Sequence, residues 1–396
     1  MTETAGTLLE LVRTGRAHTR SDLRRLTGMS RTAVVARVSA LVDAGLLVLG
    51  EELDSTGGRR PGGLTFNVDA GVVLAVAVGR SRSQLAVFDL SGAELAGTAI
   101  EHRVGADPDE VLPPVADGLG HLVRDLERPI LGIGLSIPGT VHPERAVSLD
   151  SPVMAGWDGV DLAPYFAGVS TAPLHVANDA DVLALSEQRG HAARYDDLLV
   201  LKASTGLGLG IIAAGAIVTG HLGGAGEIGH VRIDAAAGRT CRCGAEGCLE
   251  TLAGGWALVA RFAETGRTVE HVRELTSLAL AGDAEAKALL RESGRLVGEV
   301  VAAAVTLLNP QVVVLGGDMS AAFDVYAAGV RESLYARATA LSTRELQVLP
   351  STFGDRAGVV GCAVMALDAA LAPASVDAML TSPIPLMTTR AASREA

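Results

Sequence analysis

The chain has 396 residues, 48% of them hydrophobic, which is enough for two to three domains with sizeable cores. Its formal net charge of −12, from 33 basic and 45 acidic residues, excludes a protein coated all over for nucleic acid or an anionic membrane. The charge is uneven, however: residues 1–66 hold nine Arg against seven acids, so a small basic head precedes an acidic body.

In the head, Leu8, Leu9, Leu11 and Val12 recur at helical spacing and stop at Gly15. Thr19 and Asp22 predict the capped start of a second helix, with Leu23 and Leu26 facing inward and Gly28 ending it. Ser30 caps a third helix that runs to about Ala44, with Gly45 as its left-handed stop. Three short helices joined this tightly predict a helix-turn-helix. Val34, Val38 and Leu41 share the face of the third helix that must pack on the other two. The remaining surface presents Thr32, Ala36 and Ser39, flanked by Arg31 and Val35 and begun by Ser30, a set of small and donor-bearing side chains suited to a DNA major groove.

Leu46–Leu49 and Leu64–Val68 are β-prone runs around a polar loop, as in the two strands of a wing. The tip, Ser55 to Pro61, carries Arg59 and Arg60 beside glycines, suited to phosphates or a narrow minor groove. A three-helix protein-interaction module with a solvated Arg loop is the alternative reading of this head.

From Val72 onward, Val72–Val78, Gln84–Leu90 and Ala93–Ile100 read as three strands, followed by a helix near Asp109–Leu126 and a strand at Ile130–Ile137. A second stretch repeats the theme with strands at 174–176, 198–201 and 209–212 and a helix around Asp181–Gln188. This alternation predicts α/β layers in two lobes. Val300–Gly317 is uncharged over nearly the length of a membrane span, but Asn309-Pro310 divides it into a helix end and the strand Val312–Leu315. No N-terminal run pairs a basic region with an apolar stretch and a cleavage site, so the expected location is the cytoplasm, without membrane attachment. Only two lysines, Lys202 and Lys287, accompany the arginines, a bias read as composition without functional weight.

The sharpest chemical signal is His230 followed by Cys241, Cys243 and Cys248, with Gly244 and Gly247 permitting a tight knuckle. One imidazole and three thiolates suit tetrahedral zinc with no open position, a structural site; buried or regulatory cysteines are the alternative. Cys362, among apolar neighbours, reads as a core thiol.

Gly226-Glu227-Ile228-Gly229-His230, followed by Cys241-x-Cys243-Gly244-x-x-Gly247-Cys248-Leu249-Glu250, resembles the signature of the ROK family of repressors, open reading frames and sugar kinases. Asn178-Asp179-Ala180, Thr205-Gly206-Leu207-Gly208 and Leu315-Gly316-Gly317 extend the resemblance over about residues 72–370. It implies an α/β, actin-like, two-lobed sugar-kinase fold behind an N-terminal winged helix-turn-helix. The implied domains are a DNA-binding head (1–69), a sugar-binding body with structural zinc (70–372) and a loosely ordered tail (373–396).

Carried over by the resemblance, Asn178, Asp179, Glu227, His230 and Glu250 would bind a sugar, with one His230 nitrogen on zinc and the other towards the ligand. Asn178-Asp179 as a simple helix cap is the competing reading. In the family's kinases the residue matching Asp179 is the general base, and the phosphate loop reads Asp-x-Gly-Gly-Thr. Here that loop is Ala77-Val78-Gly79-Arg80-Ser81, with Ala77 unable to serve a magnesium-bound phosphate and Arg80 in a glycine's place. The expectation is a regulator without enzymatic activity, a homodimer or dimer of dimers released from inverted-repeat operator DNA by a sugar or sugar phosphate. An active sugar kinase with an appended head is the rival.

Overall fold

The computed structural model describes residues 3–52, 62–150 and 156–381. The expected wing tip, with Arg59 and Arg60, lies outside them.

The head forms where its caps say it should. Helix α1 (Ala5–Arg13) is followed by α2 (Arg20–Thr27), where Thr19 and Asp22 exchange side-chain and backbone hydrogen bonds, and α2 stops at Gly28 with φ +70°. Helix α3 (Arg31–Asp43) starts on Ser30, whose hydroxyl accepts the Ala33 N–H. Strands β1 (Leu47–Glu52) and β2 (Gly62–Phe66) pair antiparallel, Leu47 opposite Phe66. Leu8, Leu23, Val34, Val38 and Leu41 are fully buried in one core. Leu26 departs from expectation: it is 38% exposed, in the last turn of α2 beyond the buried Leu23.

The body consists of two lobes built to one plan. In the first, β3 (Val72–Val78), β4 (Arg82–Asp89) and β5 (Glu94–Glu101) form an antiparallel meander. After α4 (Pro108–Val123), β6 (Ile130–Ile137) joins β3 in parallel. The hairpin β7 (Thr140–Val141) and β8 (Ser148–Asp150), then α5 (Ala163–Phe166), lead to β9 (Leu174–Asn178), which completes the order β5-β4-β3-β6-β9. Strand β3 is apolar throughout because separate apolar clusters cover its two faces.

Helix α6 (Asp179–Glu187) leads to the second lobe, a meander of β10 (Leu198–Ala203), β11 (Leu207–Ala213) and β12 (Ala216–Ile217). Helices α7 (Glu250–Ala253), α8 (Gly255–Ala263), α9 (Val272–Leu280) and the long α10 (Ala284–Leu308) precede β13 (Val312–Gly316). Asn309, left-handed at φ +46°, ends α10 and makes the break expected before that strand. After α11 (Phe323–Arg337) and α12 (Ala340–Thr343), β14 (Gln347–Pro350) closes the order β12-β11-β10-β13-β14, with β10, β13 and β14 parallel. In both sheets the carboxyl ends of parallel strands open on the same cleft, the usual place for a ligand in α/β layers.

Helix α13 (Ala357–Ala370) begins at the cleft, where Ala357 and Gly358 line it, and packs along α6, β6 and β3. Cys362 is fully buried there and donates its S–H to the Val76 carbonyl, as a core thiol. The expected tail must be corrected: residues 373–381 are helix α14 (Pro373–Thr381) and pack on the head. Val376 is fully buried in the head core, a contribution of about 1.5–3 kcal/mol, and the Gly6 N–H donates to Asp377 Oδ1 at 2.9 Å. Gly6 is required because a Cβ would collide with the Pro373 carbonyl. Among the described residues no single helix is long and apolar enough to cross a membrane.

Candidate functional site

The cleft between the sheets encloses about 1010 Å³. Four of the five expected sugar ligands come from two chain segments that the fold brings to one wall. At the end of β9, Asn178 caps α6: its Oδ1 accepts the Ala180 N–H at 2.7 Å and its Nδ2 donates to the Gly139 carbonyl at 2.8 Å. The capping role is therefore real, and it orients the following residue, Asp179, into the cleft. Glu227 and His230 stand on the short turn at 228–230, whose entry is fixed by Gly226 at φ +84°, its carbonyl accepting the Leu209 N–H at 2.9 Å. Glu227 Oε1 accepts the Thr140 hydroxyl at 3.3 Å, and Oε2 lies 3.9 Å from His230 Nε2. Burial, and then the nearby Asp179 and Glu250, push the Glu227 carboxyl above its usual range against the opposing pull of His230.

Glu250 lines the cleft but is only 3% exposed and already engaged. Its Oε2 accepts the Leu207 N–H at 3.0 Å and its Oε1 the Trp256 indole N–H at 2.9 Å, so it ties the Thr205–Gly208 loop to α7 and α8.

Sequence reasoning missed Lys202. Its ammonium sits 2.6 Å from Asp179 Oδ2, the two side chains 24% and 19% exposed. Burial alone would pull the ammonium down, but Asp179, with Asp318 and Glu250 beyond it, holds Lys202 above its usual range and therefore charged. The available signal was position: one of only two lysines in the chain closes a β-strand just before Ser204-Thr205-Gly206. His271, whose Nε2 is 3.3 Å from the Thr205 hydroxyl, also lines the cleft without having been singled out.

His230, Cys241, Cys243 and Cys248 converge, their ligand atoms all within 4.8 Å of one another. His230 Nδ1 is 3.7 Å from Cys241 Sγ, and the Cys243 and Cys248 sulfurs are 3.8 Å apart. Tetrahedral thiolates at about 2.3 Å from one ion stand about 3.8 Å apart, so the residues fit a single metal ion. Burial, and the crowding of Cys243 and Cys241, push the Cys248 thiol up to about 12, and a cation among the sulfurs would favour the thiolates instead. With Nδ1 turned to the cysteines and Nε2 to Glu227, His230 joins metal centre and cleft.

Behind Asp179 lies a carboxyl with an altered titration. Asp181, 4% exposed, is raised to about 7 by burial, with Asp179 and Glu227 adding repulsion. The folded chain then holds a proton that the unfolded chain releases near pH 4, so this contribution to stability is full below about pH 4, declines between about pH 4 and 7, and is gone above. Asp181→Asn is expected to flatten that decline and to exceed the parent at pH 8 by on the order of 2–4 kcal/mol. Urea unfolding at pH 5 and pH 8 measures it; equal pH slopes in parent and variant would refute the assignment.

The proposed DNA-contacting side of the head is exposed. Ser30, Arg31, Thr32, Val35 and Ser39 all face solvent opposite the buried Val34, Val38 and Leu41.

A family model described as the ROK family matches residues 73–369. The "Xylose repressor" of Caldicellulosiruptor bescii is 27% identical over 365 residues, covering 88% of this chain and 91% of that protein. Among solved structures, a ROK family transcriptional regulator described as a homologue of the E. coli MLC protein matches with TM-score 0.80 and 25% identity, over 95% of this chain and 98% of that one. A ROK glucokinase from Streptomyces griseus, in complex with glucose and AMPPNP, matches with TM-score 0.65 and 25% identity over 74% of this chain and 98% of its own. The two-lobed body thus has the actin-like fold of sugar kinases, while the likeness to the regulator extends through the head.

Proposed function

The chain belongs to the ROK family, and from that premise we propose that it is a sugar-responsive DNA-binding transcriptional regulator, a repressor released from its operator by a sugar or sugar phosphate. The observation that carries the reading is the state of the kinase machinery in a chain with such a head. Ala77 stands where the kinases of the family place the phosphate-loop Asp, and Asp179, at the position of their general base, is locked in an ion pair with Lys202. A carboxylate held by an ammonium at 2.6 Å accepts a substrate proton poorly, so the cleft binds ligand without transferring phosphoryl groups.

In this reading Asp179, Glu227 and His230 receive ring hydroxyls, with Asn178 and Glu250 holding the walls. The His230–Cys241–Cys243–Cys248 set holds zinc, which in a site closed by four protein ligands supplies rigidity rather than Lewis acidity. The head is a winged helix-turn-helix. Arg31, Thr32, Val35 and Ser39 enter a major groove with Ser30 at the helix start, and Arg59 and Arg60 of the wing meet phosphates or a minor groove. Two copies related by a two-fold axis place two heads on an inverted repeat. Helix α13 supports a route for the signal, since it starts at the cleft and continues into α14, which is part of the head core. Release requires that sugar bind the DNA-incompetent arrangement more tightly, and operator must weaken sugar binding by the same factor.

Fluorescence anisotropy on the chain's own operator, selected from genomic fragments, tests this. Tight binding is expected to be reversed by one member of a monosaccharide and sugar-phosphate panel, and Arg31→Ala is expected to weaken operator binding about tenfold, within the 1–3 kcal/mol typical of a base contact. A chain whose operator binding no saccharide perturbs is not a sugar-responsive regulator, and unchanged affinity in Arg31→Ala removes Arg31 from the recognition helix.

A further inference from the structure

One end of the cleft carries positive charge that the described residues leave unpaired. Arg80, just past the end of β3, lines the cleft, and its Nε is buried with no hydrogen-bond partner among the described residues. Arg242, an exposed side chain of the cysteine knuckle that lines the same cleft, stacks over Trp256 at 4.4 Å and is without an ion pair among those residues. Arg80, Arg242, Lys202 and Glu250 all line this cleft, and the Glu250 carboxylate acts on both Arg80 and Lys202. Both Glu250 oxygens are taken by the Leu207 and Trp256 N–H groups. Asp318, another acid of the lining, acts on Lys202 and His271, and Asp355 lines the cleft as well.

A half-buried guanidinium with an unused N–H is costly unless an anion completes it, because it has left water without gaining a partner. Phosphoryl oxygens fit best: three acceptors and close to two negative charges match two planar donors and an ammonium. The position also has meaning. Arg80 stands in the loop where the kinases use glycine amides and an Asp-held metal to approach phosphates, and with Ala77 in the Asp's place an arginine supplies the missing charge directly.

We propose that this cationic end is a phosphoryl site and that the effector is a phosphorylated monosaccharide, its ring on the Glu227 and His230 side and its phosphoryl group received by Lys202 and Arg80, with Arg242 beside them. The assignment rests on the reading of the cleft as a sugar site, and it goes beyond that reading by choosing the charged ligand over the neutral one and by requiring no divalent cation.

The test is calorimetric titration of the full chain with D-glucose, D-xylose and N-acetylglucosamine, with glucose 6-phosphate, N-acetylglucosamine 6-phosphate and other monophosphates of the same sugars, and with ADP and inorganic phosphate, all in EDTA-free buffer without magnesium. At least one phosphosugar is expected to bind tenfold or more tightly than its parent sugar, about 1.4 kcal/mol. Arg80→Gln is expected to erase that preference, and Arg80→Lys, which keeps charge without the fork, to restore part of it; circular dichroism melts of both variants establish that they fold. The inference is overturned if no phosphosugar exceeds its parent, or if the preference survives Arg80→Gln. It is equally overturned if ADP rather than any phosphosugar takes the Arg80-dependent site, which would give the phosphoryl group to a nucleotide. Neutral sugars that bind as well as their phosphates would remove this inference alone and leave the sugar-responsive reading standing, whereas failure of every saccharide to bind would remove both.

Discussion

Replacing Gly226 by alanine is expected to abolish the response to effector and to destabilise the body by about 2–5 kcal/mol, from the sum of a left-handed backbone penalty and overpacking. Gly226 sits at φ +84°, a conformation that L side chains rarely adopt, and a Cβ there would collide with the Leu209 carbonyl oxygen, far inside van der Waals contact. That oxygen belongs to the backbone of β11 and cannot swing aside as a side chain would. The same contact places the Gly226 carbonyl on the Leu209 N–H at 2.9 Å, so relief of the clash must break the hydrogen bond that aims Glu227 and His230 into the cleft. Urea unfolding gives the stability change and calorimetry the ligand affinity. Operator binding without effector is expected to survive, since the head has a core of its own. An alanine variant with parental stability and ligand affinity would show that this close approach does not hold the site.

The second large effect is expected from Cys243→Ser. The variant should lose the zinc proposed for this site, melt at clearly lower temperature and bind effector at least tenfold more weakly, because structural zinc contributes folding free energy of about 10 kcal/mol or more in isolated zinc-binding peptides. In a larger lobe part of that is retained by packing. Cys241 and Cys248 are buried, but the turn between them is held mainly by short backbone bonds such as Cys241 N–H to the Ala245 carbonyl at 2.7 Å. With the ion gone, His230 Nδ1 loses its anchor, and Nε2 no longer stands in register with Glu227. Arg242, between two of the cysteines, loses its seat over Trp256 as well. Metal analysis by mass spectrometry and thermal melting check this together. An unmodified protein that purifies without metal, and that gains no stability when zinc is added, would end the argument.

Each proposed function depends on a different range of interaction, and this explains what could be read in advance. The three helices of the head, their caps at Thr19 and Ser30 and the stop at Gly28 are set by neighbours one to four residues away, so they were legible in the order of the residues. So were β3 at Val72–Val78 and β6 at Ile130–Ile137, whose apolar runs need only a covered sheet. The metal set was legible because three of its four ligands lie in one short knuckle, where spacing alone brings the sulfurs together.

The order of residues by itself therefore determined the local elements, the convergent His and Cys set, and an alanine rather than an acid at position 77. Only the tertiary structure decided that Lys202 closes on Asp179, that Arg80 and Arg242 line one cleft, and that α14 returns across 371 residues to Gly6 to complete the head core. The physical reason is common to all three. A charged residue at a strand end, or an apolar residue near the C-terminus, satisfies the same local preferences whether it faces water or a distant partner, and the partner is chosen by how whole lobes pack, an energy that no short window of sequence contains.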